Sequence, residues 1–99
     1  MILQATSFSW DRKFMACETV KEKNELILRS GKETAALRID MVTKEKFYRP
    51  AIGKFIIHGL TEKDDFKFTS AEEAQVKGLE MRQLLIDEMA SFDSKVTTK

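Results

Sequence analysis

The residues with most chemistry to offer lie in one short stretch. Lys44, Lys46, Arg49 and Lys54 interleave with Phe47 and Tyr48. Cations beside exposed aromatics suit an acidic segment that carries an aromatic anchor, or a nucleic-acid strand whose bases stack while its phosphates pair. The competing use is structural. Phe47 would then belong to a core, and the lysines would protect a sheet edge from pairing with other chains.

Other candidates are weaker. Cys17 and His58 are the only residues of their types, and a Cys–His pair can act as nucleophile and base. Cys17 sits in Met15-Ala16-Cys17, a setting that suits a small core thiol, and His58 ends an apolar run. One Cys and one His cannot build a Cys/His zinc site. No Gly-rich phosphate loop, Gly-x-Ser-x-Gly elbow or His-Glu-x-x-His pair is present. No catalysis, metal or cofactor is therefore expected. Glu62, Asp64 and Asp65 read as solvated charge at a turn, and Trp10 as a core residue at the end of a strand, with a ligand platform as its other use.

The elements that must position these residues follow from composition and periodicity. The 99 residues are 42% hydrophobic and 33% charged, with a formal net charge of +1, which fits one folded domain. Residues 12–54 carry a net +5 and residues 55–99 a net −3, an asymmetry able to steer an acidic partner. No apolar run approaches the roughly 20 residues of a membrane span, and the N-terminus lacks a signal-peptide pattern. With a single cysteine, a reducing intracellular compartment is expected. Ser70-Ala71-Glu72-Glu73 has the form of a capping box. Ala71, Ala74, Gly78, Met81, Leu85, Met89 and Phe92 then follow a helical period, with Leu79 and Ile86 extending the stripe on one flank and Leu84 on the other. Gly78 is expected to let this helix approach a strand closely.

Before Ser70 the chain reads as strands. Ala35, Leu37, Ile39 and Met41 alternate with Ala36, Arg38 and Asp40, the period of a half-buried strand. Residues 26–28 precede it across a turn at 30–33. Residues 55–58 and 66–68 form two more strands joined by a polar turn, and residues 2–10 and 14–20 a further pair. Pro50 cannot donate to a ladder, so residues 47–51 should form an edge or a strand break. The expected fold is α+β: six or seven antiparallel strands in a curved sheet or open barrel, capped by one C-terminal helix. It spans residues 1–93 as a single domain, with 94–99 as a disordered tail.

Phe55-Ile56-Ile57-His58, a polar turn, Phe66-Lys67-Phe68-Thr69-Ser70, Ala74 and Met81-Arg82-Gln83-Leu84-Leu85 resemble the last strands and closing helix of pleckstrin-homology (PH) domains. They are more particularly similar to the N-terminal PH-like domain of a core subunit of transcription factor IIH. The resemblance covers about 40 residues; the family's Gly-led second strand ending in Trp has no counterpart here. It implies a nuclear protein-interaction module for transcription and repair, docking acidic disordered segments on a basic sheet surface, with other subunits of a larger assembly among its partners. The positions that match are Lys54 and Arg82, with Lys46, Tyr48 and Arg49 in the corresponding strand–turn region.

Two alternatives belong to other classes. One is a single-stranded nucleic-acid-binding domain, against which the modest charge speaks, because phosphate neutralisation dominates such binding. The other is a phosphoinositide-binding PH domain using Arg12, Lys13, Lys21 and Lys23, whose charge is diluted by Glu18, Glu22 and Glu25.

Overall fold

The computed structural model describes the backbone of residues 2–59 and 66–97 and the side chains of 3–59 and 66–91. In chain order the elements are β1 (Ile2–Ala5), α1 (Phe8–Ala16), α2 (Val20–Arg29), β2 (Ala35–Ile39), β3 (Lys46–Ile52), β4 (Phe55–His58) and α3 (Ala71–Thr97). The strands form one antiparallel sheet in the order β1-β4-β3-β2. The class is α+β, but the six- or seven-stranded barrel with a single helix is not formed. Among the described residues four strands make an open sheet, accompanied by three helices.

The difference arises in residues 8–29, where strands were expected and two capped helices form. The Ser7 hydroxyl accepts the Trp10 N–H at 3.4 Å and starts α1. Trp10 and Phe14, four residues apart, share a helical face, and both rings meet Phe55, at 6.3 and 5.5 Å between centroids. Thr19 accepts the Glu22 N–H at 3.1 Å, while Glu22 accepts the Glu18 N–H at 2.9 Å. Thr19 thus caps α2, with Glu22 bonded to the residue before the cap, and Leu26-Ile27-Leu28 falls within the helix. A three-residue apolar run fits a strand or a helix equally well by period alone. The turn expected at 30–33 thus joins α2 to β2.

The third strand corrects a further expectation. Pro50 does not put β3 at an edge; β3 lies between β4 and β2. It pairs with β2 along five positions, Ala35↔Pro50 to Ile39↔Lys46. Its ladder with β4 holds only Ala51↔Ile56 and Ile52↔Phe55, stopping where Pro50 lacks a donor. Beyond that break Tyr48 exchanges both backbone hydrogen bonds with Phe68, at 2.7 and 2.8 Å. The strand expected at 66–68 is therefore a single bridge. The turn expected after Gly59 falls on residues 60–65, outside the described residues, as do Glu62, Asp64 and Asp65.

Residues paired across a ladder point to the same face. Leu3, Ala5, Ile52, Phe55 and Ile57 thus share one face. There Ile27, Ile52, Phe55 and Ile57 form the buried core, joined by Trp10, Phe14, Met81 and Leu85. Ala74 and Gly78 of α3 are also buried. A Cβ on Gly78 would collide with the Thr34 carbonyl, so the glycine permits the close approach its place in the stripe suggested. The flanking residues are not covered: Leu79, Leu84 and Ile86 are exposed. Helix α3 begins at Ala71, with the Ala74 N–H bonded to the Ser70 carbonyl, without the side-chain bonds of a capping box among the described residues.

Candidate functional site

The basic–aromatic stretch becomes β3 and its approach, and strand alternation divides it between two faces. Phe47 and Arg49 point to one side, with Arg38 and Ala36 opposite them on β2. Lys46, Tyr48 and Pro50 point to the other, opposite Ile39, Leu37 and Ala35.

On the first face Phe47 is half-buried and ringed by cations. The Lys67 ammonium lies 4.5 Å and the Arg49 guanidinium 5.2 Å from its ring centroid, both within cation–π range. Arg38 faces Phe47 directly across the ladder and is exposed. Arg49 is only 8% exposed, so it packs on the ring without offering its charge to solvent. Lys67 also pairs with Asp40 at 3.3 Å. A depression of about 160 Å³ beside this cluster is lined by Asp40, Lys46, Phe47, Lys67 and Phe68 among others.

Asp40 shapes the rim. Its Oδ1 accepts the Val42 and Thr43 N–H groups at 2.8 and 3.0 Å. The Thr43 and Val42 amides, and then Lys67, hold its carboxyl below the usual carboxylate range. The following turn carries Lys44 at φ 62°.

Lys54 and Arg82 sit elsewhere. They meet the connection after α2, beyond the far end of β3, about 20 Å along that strand at roughly 3.3 Å per residue. The Lys54 ammonium bonds to the Glu33 carboxylate at 2.6 Å, and its N–H to the Ser30 hydroxyl at 2.8 Å. This bond to Lys54 is the main cause holding the Glu33 carboxyl below its ordinary value. Arg82 donates to the carbonyls of Leu28 at 2.8 Å and Gly31 at 3.2 Å, satisfying groups a helix C-terminus leaves open. Of the residues expected to contact a partner, the structure thus gathers Lys46, Tyr48 and Arg49 along β3 and gives Lys54 and Arg82 structural partners.

Arg38 and Lys67 escaped the sequence reading as site residues. Arg38 lay on the polar side of an alternating strand, but nothing local revealed that Phe47 would be its partner. Lys67 was one residue of an expected strand, and only the break at Pro50 brings its neighbour Phe68 to Tyr48.

The remaining candidates do not converge. The Cys17 thiol contacts the Lys13 carbonyl at 3.4 Å, whereas His58 ends β4 opposite Ile2. Trp10 packs on Phe55 with the Lys13 ammonium 4.4 Å from its centroid. A larger hollow of about 730 Å³ brings together Ser7, Asp11 and His58. The Ser7 hydroxyl serves the Trp10 N–H there, and neither Ser7 nor Asp11 hydrogen-bonds to His58. Among the described residues no cluster of three His, Cys, Asp or Glu side chains could hold a metal. No helix among them is long and apolar enough to cross a membrane.

The chain matches no protein-family model, no curated protein and no solved structure.

Proposed function

We propose that the protein is a non-catalytic interaction module that docks an acidic segment against the Arg38–Phe47 face of the sheet. The observation that carries this reading is the Phe47 ring, within cation–π range of Lys67 and Arg49 and with exposed Arg38 opposite across the ladder. Among the described residues the exposed Arg38 beside Lys67 gives this face its positive charge, partly offset by Asp40 and Glu45. A half-buried aromatic beside them offers an apolar contact for an anchoring side chain. Charge of this kind mainly sets partner choice and association rate, and a few anchors supply most of the affinity.

The fold supports this reading in a form other than the barrel. The basic surface lies at one end of an open sheet, and Lys54 and Arg82 act as internal fasteners. Binding of a fluorescent acidic peptide bearing one Phe, measured against the native chain and R38E, tests the proposal. Weakening of about tenfold or more in R38E, with an unchanged fold, is the expected result. Equal affinity for both chains would remove this face from consideration.

A further inference from the structure

The β2 strand has a free edge beside this face. Tyr48 directs both backbone groups to Phe68, so Leu37, its ladder partner, directs its own away from β3. The Ala51 N–H bonds to the Thr34 carbonyl and the Asp40 N–H to the Glu45 carbonyl, which fixes the same phase along the strand. Backbone groups of Ala35, Leu37 and Ile39 therefore point outward, and among the described residues no strand pairs with that edge. Leu37 and Ile39 are 51% and 53% exposed, and Met41 beyond them is 78% exposed. A hydrophobic strand edge of this kind is what chains ordinarily shield.

We infer that the docked segment adds to the sheet as a fifth strand along β2, alternating acidic and apolar residues. This rests on the acidic-segment reading and specifies the partner's conformation and pattern. Its acidic side chains would lie on the Arg38 face and its apolar ones against Leu37 and Ile39. Main-chain bonds supply affinity in such strand addition, and alternate side chains supply specificity. Charge argues against a second copy of this chain as the occupant. Two-fold pairing about Leu37 would set Arg38 and its symmetry mate diagonally on one face, and like charges so placed repel.

The test uses the full chain and nine-residue peptides alternating Glu and Val, with a scrambled peptide of equal composition. Two further peptides carry N-methyl groups on alternate backbone nitrogens, one on the Glu set and one on the Val set. Strand addition predicts that one methylated set binds about tenfold or more weaker while the other binds nearly as the parent. It also predicts slowed amide exchange at Leu37 and Ile39. If both sets bind like the parent, and R38E still weakens binding, strand addition is wrong and acidic docking stands. If no acidic peptide binds, both fall. Slowed exchange at Leu37 that depends on protein concentration without peptide would assign the edge to self-association and overturn the inference.

Discussion

Arg82 of α3 donates a 2.8 Å hydrogen bond to the Leu28 carbonyl at the end of α2, joining two helices through residues 54 positions apart in the chain. A second bond, to the Gly31 carbonyl, extends the clasp into the loop leading to β2. The cation is thereby committed to structure.

Replacing it should show this. R82A removes two charged donors from half-buried carbonyls, so the expected loss is about 1.5–3 kcal/mol of unfolding free energy. Chemical denaturation measures it. Affinity of the folded protein for an acidic peptide should stay unchanged; a drop in affinity with unaltered stability would return Arg82 to the binding surface.

Gly78 sets two effects against each other. Alanine in a helix interior is ordinarily favoured over glycine by about 1 kcal/mol. Here the added methyl would meet the Thr34 and Ala51 carbonyl oxygens, backbone atoms, with Thr34 bonded to the Ala51 N–H, that cannot swing aside. Overpacking of this kind costs about 1–3 kcal/mol, so G78A should lower the melting temperature. A rise would mean that α3 stands further from the sheet.

The pH dependence follows from Glu33 and Asp40, whose carboxyls are both held below their ordinary values. Their contribution to stability is full above the unfolded pKa of about 4 and is lost as pH falls through the lower folded values. Stability should therefore decline on the acid side, modestly because both groups are solvent-accessible. E33Q should flatten part of that decline. An acid limb identical in E33Q would show that the Lys54–Glu33 bond contributes nothing.

Much of the scaffold was legible and much of the site was not, for related reasons. The long period of α3, the alternation of β2 and the apolar run of β4 are local patterns, and each appears where its spacing places it. Residues 8–29 differ from the expected strands because Ser7 caps α1 and Thr19 caps α2, signals that the strand reading did not use. Pro50 was rightly read as a poor donor. Its consequence was tertiary, since the break falls on one side of a central strand and admits Phe68. For the site, Lys46, Phe47 and Tyr48 were visible as a basic–aromatic stretch. The Arg38–Phe47 register depends on long-range pairing, and so does the recruitment of Lys54 and Arg82 as fasteners.

Lys67 offers a graded test of the same face. Its ammonium serves both Phe47 and Asp40, so K67M should weaken acidic-peptide binding less than R38E, by about two- to fivefold, as expected for an exposed, partly neutralised charge. Fluorescence titration at low salt measures this. A K67M defect larger than that of R38E would place the anchor nearer the 160 Å³ depression than the β2 edge.

The most direct test of the account is an amide NMR titration of the intact chain with an acidic peptide carrying one aromatic residue. A single-stranded oligonucleotide is titrated in parallel at the same salt. Acidic docking predicts saturable shifts for the peptide, clustered at residues 36–40, 46–49 and 67–68, with little change around Lys54 and Arg82. Shifts confined to the oligonucleotide, or peptide shifts gathered away from Arg38 and Phe47, would contradict it.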